Sequence, residues 1–341
     1  MVEKNLDFRS DTVTWPSPEM REAAANAAVG DMGYGEDPSV NELERLAAEK
    51  LGKEAAIFVT SGTQGNAVSL LAHTQRGDEI ILEERAHIYT MEKGHWSLIG
   101  GLIPKLVKGV NGWLPPEDVR ALIRGRRGRR SNARVLCLEN TNLSSGGTPV
   151  PPMKLKEDWD VAKEYDVGVH MDGARIFNAA VALEIDVKEI ARYADTVQFC
   201  LSKGLGAPVG SLVVGTDELI EKAKKYRSVL GGSMRQAGII AAPGIVALTK
   251  MVDRLAEDHA NAKLLGDGLA SLGFKLNTPV KSNMVFIDLS SISWTGEDWT
   301  DACTKLGWKS RGSVPSLRLC THYGIEEEDI KKLLEGLSSL V

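Results

Sequence analysis

The chain has 341 residues, enough for a large hydrophobic core and two lobes, and its 43% hydrophobic and 26% charged content is ordinary for a globular protein. A formal net charge of −5 argues against general binding to nucleic acid or to anionic membranes. The arginine cluster RGRRGRR at 124–130 has no interleaved aromatic residues, so a solvated loop is predicted there instead of a nucleic-acid site.

Cysteine usage and the N-terminal segment bear on the compartment. Cys137, Cys200, Cys303 and Cys320 form no CxxC pair, so we expect neither a zinc ribbon nor a disulfide framework, and a reducing compartment fits. The N-terminal residues contain no apolar signal core, and no apolar stretch approaches the roughly 20 residues of a membrane span. We therefore expect a cytoplasmic protein without membrane segments.

From about residue 40, stretches with helical spacing alternate with short apolar stretches typical of buried strands. The helical stretches are NELERLAAEKLGK (41–53), TQGNAVSLLAHTQ (63–75), EDWDVAKEYD (157–166) and VKEIARYA (187–194). The predicted strands are AAIFVTSG (55–62), DEIILEE (78–84), ARVLCLEN (133–140), VGVHMDG (167–173), TVQFCLS (196–202) and GSLVVG (210–215). Strands that are apolar throughout and separated by helices predict an α/β fold, with a parallel or mixed sheet covered on both faces.

The C-terminal third has a different pattern. A long helical stretch at roughly 238–272 is followed by predicted strands at 284–289 and 316–322 and by an amphipathic helix at 326–340. We expect a large α/β domain at 15–245 and a smaller α+β domain at 246–341, with the N-terminal arm, 1–14, packing near the smaller one. The active site is expected between the two domains.

Three groups stand where apolar strands end, which is where open α/β sheets bind ligands. Ser61, Gly62 and Thr63 open a helix and could hold a phosphate, although Ser-Gly-Thr is also a common helix cap. Asp172 ends the next such strand, with Arg175 shortly after it, and the two could equally form a structural ion pair.

Lys203 follows the third of these strands, before a glycine-rich turn. On that segment alone, a lysine that extends its ammonium group into solvent is the better interpretation. Together, however, a phosphate cup, a carboxylate and a strand-end lysine are what pyridoxal 5′-phosphate requires. The chain lacks a GxxxxGK[ST] loop, which disfavours nucleotide binding. His170 shares a strand face with Asp172, but no third ligand is near in sequence, so no metal site is predicted.

Nine segments then identify a family resemblance over essentially the whole chain. In order they are RSDTVT (9–14), YGEDPSVNELE (34–44), SGTQGN (61–66), HIYTMEKG (87–94), ENTNLSSGG (139–147), DGARIFNA (172–179), CLSKGLGAPVGS (200–211), GGSMRQAG (231–238) and LRLCTH (317–322). With these segments the chain resembles the L-threonine aldolase family, in the β-eliminating lyase group of the aspartate-aminotransferase fold (fold type I). The resemblance implies a pyridoxal-phosphate enzyme with a mostly parallel central sheet.

The resemblance also implies roles for residues around the cofactor. Lys203 would carry it as a Schiff base, and Asp172 would bond the pyridine nitrogen. His87 would stack on the ring and is a candidate acid or base. Arg175 would face the cofactor's phenolate oxygen and the substrate carboxylate. The phosphate would be held by Ser61, Gly62, Thr63 and Ser202, and by Arg235 of a neighbouring subunit.

Substrate contacts and assembly follow from the same resemblance. Ser10 and Arg318 would fix the substrate carboxylate, an arginine fork being suited to bidentate binding. Tyr34 and Glu92 match family positions near the substrate. The expected assembly is a homo-oligomer, a dimer of dimers, that acts on a small amino acid.

The implied reaction is cleavage of L-threonine or L-allo-threonine to glycine and acetaldehyde. The chain departs from the family near the substrate's β-carbon: the loop RGRRGRRSNAR (124–134) contains no histidine, and Arg129 stands where relatives commonly have one. Asn142 and Met91 are further differences on that side. An amino-acid racemase of the same family, or relaxed selectivity between threonine and allo-threonine, therefore remain as alternatives.

Overall fold

A computed structural model describes residues 4, 6–125 and 132–341. Most of the arginine cluster, including Arg129, lies outside these residues. Within them, a mixed central sheet carries the candidate site along one edge. No helix in the described ranges is both long and apolar enough to cross a membrane.

The central sheet has seven strands in the order β1-β7-β6-β5-β4-β2-β3. The strands are β1 (Ala55–Val59), β2 (Glu79–Glu83), β3 (Ile103–Val107), β4 (Ala133–Glu139), β5 (Gly168–Asp172), β6 (Thr196–Cys200) and β7 (Ser211–Gly215). Only β7 runs antiparallel to its neighbours; every other pair is parallel. The expected mostly parallel α/β sheet is confirmed.

Helices cover both faces of this sheet and build the C-terminal region. They are α1 (Pro18–Ala25), α2 (Pro38–Leu51), α3 (Gly62–His73), α4 (His87–Thr90), α5 (His95–Leu98), α6 (Pro116–Arg124), α7 (Pro152–Glu164), α8 (Ile176–Leu183), α9 (Lys188–Ala191), α10 (Asp217–Val229), α11 (Gly238–Val246), α12 (Leu255–Ser271), α13 (Gly296–Lys305) and α14 (Glu327–Ser338). A π-helical segment, Ala247–Met251, follows α11 and continues the long helical stretch that the sequence predicts.

Local chemistry explains where helices begin and end. The Asp37 side chain accepts hydrogen bonds from the backbone N–H groups of Ser39 and Val40 at the start of α2. Gly52 ends the same helix at φ 65°, a left-handed conformation that glycine adopts without strain. The predicted strands and helices are present, with ends shifted by a few residues.

One strand of the central sheet was missed by sequence reasoning. Strand β3 has the sequence IPKLV, in which a proline and a lysine interrupt the apolar pattern. It lies at the edge of the sheet and pairs only with β2, so most of it is partly exposed. An edge position tolerates proline because one row of N–H groups has no partner strand.

A second, smaller antiparallel sheet has the order β10-β9-β8, with β8 (Lys275–Leu276), β9 (Met284–Asp288) and β10 (Leu317–Cys320). Its core is a separate hydrophobic cluster that includes Leu265, Trp299 and Ile330. Phe8 of the N-terminal arm belongs to this cluster and stacks on Trp308 at 4.9 Å between ring centroids. The boundary between 245 and 246 stays a prediction.

Candidate active site

Strands β1, β4, β5 and β6 all end at the same edge of the central sheet. Glu139 and Asp172 are register partners at the ends of β4 and β5, while Ser61 and Lys203 follow β1 and β6. The topology therefore collects the three strand-end groups that the sequence singles out.

Asp172 is buried, and protein donors hold both oxygens of its carboxyl group. Asn66 Nδ2 donates to Oδ2 at 3.0 Å, and the Ala174 backbone N–H donates to Oδ1 at 3.1 Å. Oδ2 also lies 3.9 Å from His87 Nδ1. The carboxyl group is thereby fixed in orientation before any ligand is considered.

Glu92 lies beside Asp172, and its carboxyl group is within hydrogen-bonding distance of three side chains. His87 Nδ1 lies 2.9 Å from Oε1, which also accepts from Asn66 Nδ2 at 2.8 Å, and His95 Nε2 lies 2.6 Å from Oε2. Burial alone would raise the pKa of Glu92, but the hydrogen bonds from His87 and His95 outweigh burial and lower it to about 2. The hydrogen bond to Glu92 raises the pKa of His87 above its ordinary value.

We call Asn66, His87, Glu92 and Asp172 the inner wall of the site. The ligand atoms of His87, Glu92 and Asp172 lie within 4.8 Å of one another, a spacing that could also hold a cation. His170, considered above with Asp172, instead directs its ring nitrogens to Asn66 and Thr196.

Arg175 forms a buried ion pair with Asp11 of the N-terminal arm. The guanidinium donates from Nε at 2.7 Å and from Nη2 at 2.6 Å, and Asn283 Nδ2 adds a third donor to Asp11 at 3.2 Å. Burial alone would raise the pKa of Asp11, but the charge and hydrogen bonds of Arg175 hold it well below its usual range. The pair joins the arm to the large sheet next to the site.

Lys203 is half-buried and lies close to this pair. Its positive charge contributes to the low pKa of Asp11 and partly offsets the rise in the pKa of His87, so Lys203 lies within electrostatic range of both residues. Lys203 is therefore partly covered by the chain and has charged residues near it.

The segment from Ser61 to Thr63 begins α3. The Ser61 hydroxyl accepts a hydrogen bond from the Gln64 backbone N–H at 3.2 Å, so Ser61 is a helix cap. A Cβ atom on Gly62 would lie 2.9 Å from Cys200 Sγ, and glycine thus lets the helix approach the end of β6. Ser61 and Thr63 are exposed, and Ser202 is half-buried.

The remaining site residues form an outer rim, which we define as Ser10, Tyr34, Arg235 and Arg318. Ser10 caps the short 3₁₀ helix Asp11–Val13. Arg318, on β10, donates to the Arg9 carbonyl at 3.2 Å and lines an open cleft of about 430 Å³ with Arg9 and Arg311. Tyr34 is 80% exposed, and the Arg235 side chain is 73% exposed, with Asp31 3.5 Å away.

These residues fit the chemistry of pyridoxal 5′-phosphate. Asp172 offers a fixed carboxyl acceptor for the ring nitrogen, and Lys203 offers an amine for the aldehyde. Exposed hydroxyls and the N-terminal N–H groups of α3 suit a phosphate. Glu92, which the resemblance set beside the substrate, contacts the side chains of Asn66, His87 and His95.

Sequence reasoning missed Asn66, Asp11, His95 and Glu139. Glu139 is buried and accepts from the backbone N–H groups of His87 and Leu143, both at 2.8 Å. Asn66 and Asp11 lie inside quoted family segments, SGTQGN and RSDTVT, which was the only available signal. The polar spacing alone marks neither of them as part of a site.

Comparison with known proteins gives concordant results. A family model described as beta-eliminating lyase matches residues 7–291. Low-specificity L-threonine aldolase 1 of Arabidopsis thaliana is 43% identical, covering 97% of this chain and 94% of its own length. The low specificity L-threonine aldolase of Escherichia coli (strain K12) is 42% identical over 96% of this chain and 97% of its own length.

A solved structure of a threonine aldolase from Leishmania major superposes with a TM-score of 0.83, covering 98% of this chain and 99% of that chain. Its sequence identity is 22%, and at that level the likeness concerns the fold.

Proposed function

Because this chain belongs to the L-threonine aldolase family of β-eliminating lyases, we propose that it cleaves L-threonine and L-allo-threonine to glycine and acetaldehyde. It is a carbon–carbon lyase that depends on pyridoxal 5′-phosphate. The observation that carries the substrate proposal is the similarity to two low-specificity threonine aldolases, which are 43% and 42% identical over nearly the whole chain.

In this proposal the chain's residues hold the cofactor at the edge of the sheet. Lys203 would bind it covalently, Asp172 would face its ring nitrogen and His87 its ring. Ser61, Gly62, Thr63 and Ser202 would hold the phosphate. When bound, pyridoxal 5′-phosphate supplies an electron sink for negative charge that develops at the substrate Cα.

The substrate carboxylate would be held by Ser10 and Arg318. Arg175 Nη1, the nitrogen of the guanidinium that does not bond Asp11, would add a third contact. Holding this carboxylate sets which bond at Cα lies in the reactive orientation, and so selects Cα–Cβ cleavage over loss of the Cα proton.

His87 would take the β-hydroxyl proton. Its Nδ1 is bonded to Glu92 at 2.9 Å, which leaves Nε2 as the atom for proton transfer. Glu92 raises the pKa of His87 and so makes it the stronger proton acceptor. We assign Glu92 this orienting role in place of substrate binding. Tyr34, in the outer rim, would contact the substrate.

The racemase alternative gains little from the described residues. Asn142 is buried and accepts from the Ser145 backbone N–H at 2.9 Å, so its side chain serves a turn. Met91 is 60% exposed. The other difference, Arg129, lies outside the described residues.

The assembly would be a homo-oligomer, a dimer of dimers, in which Arg235 reaches the cofactor phosphate of a neighbouring copy. The exposure of Tyr34, Val229 and Arg235 in the single chain supports this proposal. A cytoplasmic location and a role in threonine breakdown and glycine formation complete it. Sedimentation of the purified protein measures the assembly, and a monomer would contradict it.

The decisive experiment incubates the holoenzyme with L-threonine, L-allo-threonine and L-alanine in deuterated water. We expect equal amounts of glycine and acetaldehyde from at least one β-hydroxy substrate. Deuterium entering the Cα of alanine, with no acetaldehyde from either diastereomer, would establish the racemase instead. The ratio of kcat/KM for the two diastereomers then measures selectivity.

A further inference from the structure

Behind the inner wall, a buried row of polar side chains crosses the interface between α3 and the central sheet. Asn66 Oδ1 lies 3.0 Å from His170 Nε2, and His170 Nδ1 lies 2.9 Å from Thr196 Oγ1. Thr196 Oγ1 is in turn 2.9 Å from His73 Nε2. The row thus runs from Asp172 and Glu92 to the far end of α3.

Regular geometry brings these four residues together. Asn66 and His73 are seven positions apart on α3, so they share one face of the helix. His170 and Thr196 are register partners in the parallel pair β5 and β6. Gly168 lies on the same strand face as His170 and Asp172, and a Cβ atom there would come within 2.6 Å of His73 Nδ1. Glycine at position 168 thus leaves room for the His73 ring against the sheet.

The proton positions along this row follow from its two carboxyl neighbours. Asn66 Nδ2 contacts Glu92 at 2.8 Å and Asp172 at 3.0 Å, so the amide nitrogen must face them, because a carboxylate only accepts. Asn66 Oδ1 therefore accepts from His170 Nε2–H.

For the rest of the row, only one set of proton positions is consistent. Burial lowers the pKa of His170 to about 3, so the ring is neutral and its Nδ1 must accept from the Thr196 hydroxyl. Since that hydroxyl has a single proton, Thr196 must in turn accept from His73 Nε2–H. All the donors in the row therefore point toward Asp172 and Glu92.

We propose that Asn66 is a positioning residue that ties Asp172 to Glu92, and that His170, Thr196 and His73 hold its amide in the one orientation that presents the NH₂ group to both carboxyls. The row favours Asp172 as an acceptor aimed at the ring nitrogen of the cofactor. It also couples Asp172 to His87 through Glu92. The proposal rests on the proposed function only in taking that nitrogen as the partner of Asp172.

The test alters the hydroxyl group of Thr196, which is not among the proposed cofactor contacts. Thr196→Val keeps the shape but removes the hydroxyl that donates to His170 Nδ1 and accepts from His73, whereas Thr196→Ser keeps the hydroxyl. Ser211 supplies the matched control: it is a buried hydroxyl on β7 opposite Cys200 of β6, with no hydrogen-bond partner in the described chain. Ser211→Ala therefore removes a strand hydroxyl without touching the row.

The first readout is the affinity of the cofactor-free protein for pyridoxal 5′-phosphate. We expect Thr196→Val to bind it about 10- to 100-fold more weakly, because an Asn66 amide that is no longer held in orientation loses its hydrogen bond to the charged Asp172 carboxyl. Thr196→Ser and Ser211→Ala should stay within about threefold of the unaltered protein. Wild-type affinity in Thr196→Val, or an equal loss in Ser211→Ala, would overturn the proposal.

The second readout is made on the unaltered protein, and a single variant, His170→Gln, serves only to assign a signal. In the holoenzyme labelled with ¹⁵N-histidine, ring NMR should show His170 and His73 both protonated at Nε2, with His170 assigned from the signal missing in His170→Gln. A proton on His170 Nδ1 would refute the assigned direction. Neither readout uses threonine, so failed threonine cleavage with both results as expected would sink the proposed substrate and leave this inference standing.

Discussion

The inner wall and the outer rim of the site are built in opposite ways. In the inner wall, Glu92 and Asp172 are buried and bonded to donors of the same chain. At the rim, Tyr34 and Arg235 are largely exposed, and the nearest acid to Arg235 is 3.5 Å away. The difference indicates that the chain by itself orients the carboxyl groups of the inner wall, whereas the side chains of Tyr34 and Arg235 are little constrained by the described residues.

Replacing Lys203 with alanine tests the proposed attachment of the cofactor and should have the largest effect. We expect turnover to fall by at least about 1,000-fold, because the covalent attachment is lost. The unfolding free energy should change by about 1 kcal/mol or less, since no ion pair of the described residues involves this lysine. Acetaldehyde release and urea unfolding measure the two quantities.

The control for this substitution is Lys225→Ala, which removes an exposed lysine on α10 and should retain activity. Normal turnover in Lys203→Ala would remove the lysine from the reaction and with it the basis of the proposed site.

Breaking the buried ion pair beside the wall should have the next largest effect. Asp11→Asn leaves the buried Arg175 guanidinium without its counter-charge, which typically costs about 3–5 kcal/mol of stability. Asp7→Asn is the matched variant, because Asp7 also pairs with an arginine of the arm, Arg9, whose side chain is 54% exposed. We expect a loss of about 1 kcal/mol or less there. Equal losses of unfolding free energy in the two variants, measured by urea titration, would contradict the expected difference between the buried and the exposed ion pair.

The rim is tested with Arg235→Ala. Its removal should leave the fold intact and weaken binding of pyridoxal 5′-phosphate about tenfold, the loss of one charge-assisted contact. Arg192→Ala, which removes another arginine of a surface pair, with a side chain that is 61% exposed, should leave binding unchanged.

A mixing experiment shows whether Arg235 acts across subunits. Arg235→Ala and Lys203→Ala subunits, combined at limiting cofactor, should regain activity, because each mixed dimer then has one site with both residues intact. No recovery in demonstrably mixed dimers would place the arginine within its own subunit's site or outside the reaction.

The last prediction concerns Glu139, whose ionisation makes the stability of the protein depend on pH. Burial, and then the charge of Asp172, raise the pKa of Glu139 to about 7 from its ordinary 4.5. Between these values the folded chain binds more protons than the unfolded chain, so the stability contributed by this group is complete below pH 4.5 and is lost as pH rises through 7.

Glu139→Gln should remove that loss. We expect the unfolding free energy of the cofactor-free protein to fall with pH more steeply than that of the variant, by up to about 1.4 kcal/mol per pH unit between the two values. Parallel pH profiles would show that the carboxyl stays ionised in the folded chain.

The candidate cofactor site could be predicted in part because several of its residues directly follow apolar stretches that are recognisable as strands in the sequence. Asp172 and Lys203 each follow an apolar stretch, and the carboxyl ends of parallel strands meet at one edge. Strand β3 escaped prediction because an edge strand need not be apolar on both faces.

By itself, the sequence determined the α/β class, the family and the candidate residues for the cofactor site, since strand periodicity and ordered motifs are properties of neighbouring residues. Only the tertiary structure decided what those residues contact. Asp11 meets Arg175 across 164 positions of chain, and Asn66 reaches Asp172 across 106. Such partners are chosen by the packing of α3 and the N-terminal arm on the sheet, because a buried carboxyl takes whichever donor the fold brings within hydrogen-bonding distance.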